Sequence, residues 1–234
     1  DSREWEHYSA SDGANPLITD IVYSLSLGEK NELLIGTSAG LNILNMKTGN
    51  IRVFTGTRDN MTPFREKAIY TTYLDNRQLL WIGSNNGLSI YDTRNDRLYE
   101  LDKTNGLPDN DIMSIVQDNN YTSWLGSKNG LLKIVPSYNE TDRKYQFECS
   151  VYYEDEGVQG RVFNRNSTCL LSGGKVVFGG TNGLTMFNPL KIEYNHYQPK
   201  VVFSDFFLQN QAIWPGKQYD GKTILSEDIS YTRK

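Results

Sequence analysis

Short runs in which apolar and polar positions alternate dominate the chain, and no stretch sustains a helical period. The run from Ile112 to Gln117 sets Ile112, Ser114 and Val116 on one face against Met113, Ile115 and Gln117 on the other. Similar runs occupy Ile21 to Ser26, Ile69 to Leu74 and Phe163 to Leu171. Each leads into a more apolar run that ends in glycine, a tight turn, and a returning run such as Leu88-Ser89-Ile90-Tyr91, Leu131-Leu132-Lys133-Ile134 or Leu184-Thr185-Met186-Phe187. A fourth run follows the first three of these groups, at Ile51 to Phe54, Leu98 to Leu101 and Tyr145 to Val151. Four strands in constant order, joined by tight turns, predict an all-β fold built from repeated antiparallel units.

The turn region itself repeats. It reads LIGTSAGL from Leu34, WIGSNNGL from Trp81, WLGSKNGL from Trp124 and VFGGTNGL from Val177. The first glycines of the four copies, Gly36, Gly83, Gly126 and Gly179, are 47, 43 and 53 residues apart. That period is the length of a propeller blade and exceeds leucine-rich or ankyrin repeats. A glycine at this point lets a neighbouring strand approach closely. The second glycine (Gly40, Gly87, Gly130, Gly183) suits a hairpin that needs positive φ, and Asn-Gly at three of the four turns strengthens that reading. Trp5 to Tyr8 reads as a lone outer strand, and the last copy lacks one. The two ends could complete one blade together, but four blades lie at the low end for a closed ring, and earlier blades preceding this stretch are the preferred reading. The boundaries expected are blades over residues 1–198 and the truncated start of a second domain over 199–234. Asp1 opens without a leader-like segment, and the last residues, Asp228 to Lys234, read as an interrupted strand, so a piece of a longer protein is expected.

Composition narrows the function. The chain of 234 residues is 38% hydrophobic and 12% aromatic with 15 tyrosines, a content that disordered chains lack. The net charge of −4 argues against a nucleic-acid surface. No apolar run is long enough to cross a bilayer. Two cysteines and two histidines, His7 and His196, leave little for a zinc site or histidine-based catalysis, and no cofactor is expected. Cys149 and Cys169, on an outer and an inner strand, are expected to be free and buried. No nucleophile elbow, HExxH or phosphate loop occurs. Asp92-x-x-Asn95-Asp96 lacks the spacing of a calcium loop and reads as a turn.

The repeated octets resemble the two-component regulator propeller repeat, in which a tryptophan-isoleucine-glycine-threonine/serine stretch precedes an asparagine-glycine-leucine turn. Asn105-Gly106-Leu107-Pro108-Asp109-Asn110-Asp111-Ile112 resembles the linker that introduces the next blade in that family. The last copy, running into Phe187-Asn188-Pro189, resembles a closing blade. Pro199 to Leu208 is similar to the first strand of the triple-tyrosine (YYY) β-sandwich that follows the propeller. Leu34, Val177 and Gly180 depart from the pattern, so the first and last blades are expected to be irregular. The resemblance implies the periplasmic sensor region of a hybrid two-component regulator that controls polysaccharide-utilisation genes. It also implies an oligosaccharide ligand, a homodimer in the intact protein, and a membrane helix and histidine kinase outside this stretch. Ligand binding would then change the geometry between propeller and sandwich.

Candidate ligand residues are the exceptions to the repeat, because the common residues build the scaffold. They fall in the connections that lead from one blade to the next. The connection from Thr55 to Lys67 carries Arg58, Asp59, Asn60, Phe64 and Arg65. The next offers Asp109 and Asn110, and the last offers Gln159, Arg161, Asn164 and Arg165. Arg65, Asp109, Asn110, Arg161, Asn164 and Arg165 are the ligand candidates, since amides and guanidinium groups suit hydroxyls, uronates and sulfates. The alternative is an ordinary polar loop in which the arginines pair with Glu154, Asp155 and Glu156. Trp81 and Trp124, at one repeat position on a central strand, are read as structural and not as sugar platforms. The rival functions are a propeller lyase or glycosidase, which would need titratable groups converging on the channel, and an interaction propeller with an apolar face.

Overall fold

A computed structural model describes residues 5–13, 15–57, 64, 66–192, 206–208, 210–219 and 221–223. The chain divides into two compact units, Asp1–Lys191 and Ile192–Lys234. The first unit holds four antiparallel sheets. The first comprises β1 (Val22–Leu27), β2 (Glu32–Thr37), β3 (Gly40–Asn45) and β4 (Ile51–Val53). The second comprises β5 (Ile69–Leu74), β6 (Leu79–Ser84), β7 (Gly87–Asp92) and β8 (Arg97–Leu101). The third comprises β9 (Ile112–Gln117), β10 (Ser123–Ser127), β11 (Gly130–Asn139) and β12 (Lys144–Tyr152). The fourth has three strands, β13 (Phe163–Leu170), β14 (Val176–Gly180) and β15 (Gly183–Phe187). Strands pair in sequence order within every sheet. The inner strands meet: β5 touches β1, β9 and β13, and β9 touches β13. These are propeller blades, three with four strands and the last with three among the described residues.

The octet's residues build each hairpin and the contact to the next blade. Thr37, Ser84 and Ser127 donate their hydroxyls to the carbonyls of Gly40, Gly87 and Gly130 at 2.8, 3.0 and 2.8 Å. The same oxygens accept the amides of Ala39, Asn86 and Asn129. One hydroxyl thus closes a two-residue turn whose final glycine takes φ of +145°, +95° and +121° in the three blades. The fourth blade has Gly180 instead, and Gln159 supplies the missing acceptor: its Oε1 takes the Asn182 amide at 2.9 Å. A side chain at Gly180 would collide with that glutamine. The first glycine of the octet has a different task. A methyl group on Gly83 would stand 2.6 Å from Thr71 and 2.8 Å from Ile112 of the next blade. On Gly126 it would meet Phe163 and Ser114, each at 2.7 Å. These glycines let consecutive inner strands approach.

Apolar side chains on facing sheets fill the space between blades. Leu34, Ile43 and Phe54 of the first blade pack with Leu80 and Ile82 of the second. Trp81, Leu79 and Ile90 of the second pack with Leu125, Leu132 and Ile134 of the third. Trp124 meets Phe187 of the fourth with ring centroids 4.7 Å apart. Trp81 and Trp124 are fully buried, at 0% and 1% exposure, which agrees with a structural reading.

Two expectations fail. Residues Trp5 to Tyr8 form no strand, and Trp5 is 90% exposed. Tyr8 instead packs on Leu17, Ile35 and Leu44 of the first blade, and the Leu17 amide donates to the Ser9 carbonyl. That packing holds Tyr8 against the face of the first sheet. The cysteines are free, as read, but they are not buried: Cys149 is half-buried and Cys169 exposed. Cys169 pairs across the sheet with Val177, which pairs with Met186, and this face of the fourth blade has no sheet against it among the described residues.

The second unit contains two hairpins, β16 (Phe206–Leu208) with β17 (Gln211–Ile213), and β18 (Gln218–Tyr219) with β19 (Lys222–Thr223). Most of the expected first sandwich strand, 199–205, lies outside the described residues. No helix among the described residues is long and apolar enough to cross a membrane.

Candidate functional site

One face of the ring collects the blade-to-blade connections and the β2–β3, β6–β7, β10–β11 and β14–β15 turns. The connections are stitched to these turns by backbone bonds. Gly87 donates to the Asn110 carbonyl at 2.7 Å and Gly130 to the Arg161 carbonyl at 2.8 Å. These bonds hold the second and third connections against the hairpin turns of the same face. Arg65 lies outside the described residues.

Asp109 and Asn110 have partners within their own connection. Asp109 accepts the Asp111 amide at 2.9 Å and pairs with Lys103 at 3.1 Å. Burial works to raise its pKa, but the Asp111 amide and the Lys103 ammonium outweigh it and hold the carboxyl below its ordinary range. Asn110 Oδ1 caps the Lys103 amide at 3.0 Å. Beside them, Lys128 pairs with Asp111 at 2.9 Å, and this bond chiefly raises the lysine's pKa. Gln159 likewise fastens its own connection to the fourth blade, taking the Asn182 amide and donating to the Val162 carbonyl.

The arginines behave differently. Neither Arg161 nor Arg165 forms an ion pair with Glu154, Asp155 or Glu156. Arg161 lies over the Tyr153 ring at 5.7 Å, in a shallow cleft shared with Glu154 and Asp155. Arg165 sits over two rings at once, Tyr70 at 3.9 Å and Tyr23 at 4.4 Å. Those tyrosines contact each other edge to face at 5.6 Å. Asn166 adds a bond of 2.7 Å from its Nδ2 to the Tyr23 carbonyl, 143 residues away in sequence.

A recurring irregularity of the inner strands creates this cluster. Val22 and Ser24 pair with consecutive residues Thr37 and Gly36, so Tyr23 is one extra residue. Tyr70 between Ile69 and Thr71, and Met113 between Ile112 and Ser114, are extra in the same way. In the fourth blade Phe163 pairs with Gly180 but Thr168 with Phe178, which makes three extra residues in place of one. Asn164, Arg165 and Asn166 occupy this enlarged bulge, with Asn166 at φ +50°. Bulges re-aim side chains in this manner. Asn164 is exposed on the same bulge. The structure thus joins Asn164 and Arg165 to Tyr23, Tyr70 and Asn166, and leaves Asp109 and Asn110 in another connection and Arg161 beside Tyr153. Sequence reading missed Tyr23 and Tyr70; their signal is an aromatic at the second position of the inner run in the first two blades. No group of three or more potential metal ligands occurs among the described residues.

The class of fold that this architecture defines is the β-propeller. The chain aligns with the extracellular domain of BT3049 from B. thetaiotaomicron, assigned to a hybrid two-component system, at TM-score 0.67 and 21% identity. That match covers 91% of this chain and 28% of the other. The corresponding domain of BT4673 from the same organism gives TM-score 0.58 and 18% identity over 82% of this chain and 23% of that one. In sequence, the chain is 26% identical to histidine kinase P4 of Formosa agariphila over 232 residues, 95% of this chain and 16% of the kinase. The chain therefore spans less than a third of the length of each of these three proteins. No protein-family model matches the sequence.

Proposed function

We propose that this chain is a non-catalytic sensing part of the periplasmic region of a hybrid two-component regulator. In this reading its channel mouth binds an acidic oligosaccharide released from a glycan. The observation that carries the ligand reading is Arg165 lying over Tyr23 and Tyr70. The guanidinium carbon lies over both rings, and no hydrogen bond from the guanidinium is found among the described residues. A planar fork held this way suits bidentate capture of a carboxylate or sulfate. The Asn164 amide suits sugar hydroxyls. The sensing role is supported by the shared fold with the two extracellular domains and the similarity to the histidine kinase. The intact protein is proposed to be a dimer. Further blades are proposed to cover the outward faces of the first and fourth sheets, where Leu25, Leu27, Leu184 and Met186 are exposed.

Calorimetry of the protein against uronate- or sulfate-bearing oligosaccharides and their neutral counterparts tests the ligand. Arg165→Gln is expected to weaken binding of the acidic sugar by about 10-fold or more, the usual scale for a charge-assisted hydrogen bond. Its melting temperature should change little, since Arg165 is exposed. Unchanged affinity, or preference for the neutral sugar, would overturn this reading.

A further inference from the structure

A second cavity lies between the first and second blades, and the repeat itself indicates what it accommodates. The turns between the first two strands of each blade are equivalent. The amides of Gly28, Asp75 and Asp118 each donate to the carbonyl four residues on, at 2.9, 3.0 and 2.9 Å. Six residues beyond each stand Leu34, Trp81 and Trp124. In the second and third blades the indole N–H donates to the aspartate, Trp81 to Asp75 at 3.2 Å and Trp124 to Asp118 at 2.9 Å. That pair fills the space against the next blade. The first blade has lost both members, glycine for aspartate and leucine for tryptophan. A cleft of about 270 Å³ stands there, lined by Gly28, Leu34, Leu80, Phe54 and Tyr91, with Glu29 and Glu32 among its polar residues.

We propose that this cleft binds a small planar ring carrying an N–H donor, an indole-type compound. The shape argument comes from the other two interfaces, where an indole occupies the corresponding place. The polar argument is that Glu29 and Glu32 supply carboxylate acceptors near the lost aspartate. Glu32 is half-engaged by Arg52 at 3.1 Å and Glu29 accepts from Thr93 at 3.1 Å, so both are held at the cleft without being buried. Leu34, Leu80 and Phe54, buried at 2%, 4% and 6% exposure, give the ring an apolar wall. The site is separate from the channel mouth and does not depend on the oligosaccharide reading.

The test is saturation-transfer NMR on the whole protein with indole, and with methyl glucoside as a ring of similar size without the planar aromatic face. Indole is expected to bind at about 1 mM or tighter, a reasonable affinity for so few atoms. The double substitution Gly28→Asp with Leu34→Trp copies the other blades and should weaken indole at least about 10-fold. Gly28 has a backbone conformation open to any residue, but a Cβ there would stand 3.1 Å from Glu32 Cβ and 3.2 Å from Leu34, so Glu32 must shift slightly while the second substitution replaces Leu34. Should that variant lose its cooperative melting, Glu29→Gln with Glu32→Gln replaces it, with a loss of affinity of about 3-fold or more expected. Arg165→Gln should leave indole binding unchanged. Indole binding unaltered in the folded plugged or Gln variant, methyl glucoside bound in preference to indole, or no transfer to indole at millimolar concentration would overturn the proposal.

Discussion

At the residue scale, the tryptophans owe their position to a partner six residues earlier. Asp118 Oδ1 accepts the amides of Asn120 and Thr122, and its Oδ2 accepts the Trp124 indole N–H. Asp75 does the same for Arg77, Leu79 and Trp81, and also receives Gln117 from the third blade. Both carboxylates are buried, so truncation strands several donors at once. Asp118→Ala is expected to cost about 2–4 kcal/mol in chemical denaturation, and Trp124→Ala about 3–5 kcal/mol. A double-mutant cycle of the two should show strong coupling; additive losses would refute the pairing. The glycines permit a sharper contrast. Gly126→Ala pushes against the Cβ of Phe163, which cannot rotate away, whereas Gly179→Ala meets chiefly the Ser167 hydroxyl, which can. Gly126→Ala should therefore lower the melting temperature clearly more than Gly179→Ala, and equal shifts would count against the inter-blade role of Gly126.

At the element scale, the second and third connections between blades are short structured linkers, each with a 3-10 turn. In the second connection Asp102 caps a 3-10 turn at Lys103–Asn105, accepting the Thr104 amide at 2.7 Å, and Gly106 closes it at φ +113°. Leu107 is then buried against the second and third blades. Ion pairs from Asp109 and Asp111 to Lys103 and Lys128 hold the far end. These contacts predict how the linker responds to pH. The folded pKa of Asp109 is lowered, so its contribution is present above the ordinary carboxylate pKa of about 4 and disappears as pH falls through the folded value. Lys128 is raised, so its contribution is complete below the ordinary lysine pKa of about 10.4 and disappears only as pH rises through the higher folded value. Hydrogen exchange, corrected for intrinsic rates, should show the Asp111 amide losing protection below about pH 4 and Lys103→Ala moving that loss to higher pH. A pH-independent protection factor across this range would contradict the assignment.

For the whole molecule, the first and last of the four blades keep apolar side chains exposed on their outward faces, although Tyr8 and Leu17 cover part of the first. Leu25 and Leu27 are 63% and 70% exposed on the first blade, and Leu184 and Met186 are 63% and 51% exposed on the last. The inner faces of the same blades are buried, so the contrast comes from what packs against each sheet and not from its composition. It makes a prediction for the thiols. Cys149 lies half-buried beside the core between the second and third blades, and burial pushes its thiol pKa up. Cys169 is on the uncovered face. Alkylation under native conditions should modify Cys169 first and Cys149 slowly, as peptide mapping would show. Equal rates would mean that the fourth blade's face is covered, or that the third blade opens readily.

The strands, their order and the hairpins were legible in the sequence, because the two-residue period, the glycine pairs and the octet are local signals repeated four times. The structural reading of Trp81 and Trp124 followed from their shared repeat position. The aspartates that anchor them are visible once the repeats are aligned, since Gly28 and Leu34 change together in the first blade. Other features needed the tertiary structure. That Arg165 would leave its acidic neighbours for Tyr23 and Tyr70 depends on a bulge three residues long and on strands 95 or more residues apart in the chain coming together. Exposure of Cys169 depends on which sheet has a neighbour. Tyr8 could have marked a strand, but side-chain packing on Leu17 and Ile35 placed it elsewhere. Local pattern sets a strand's two faces; only the assembled ring decides what each face meets.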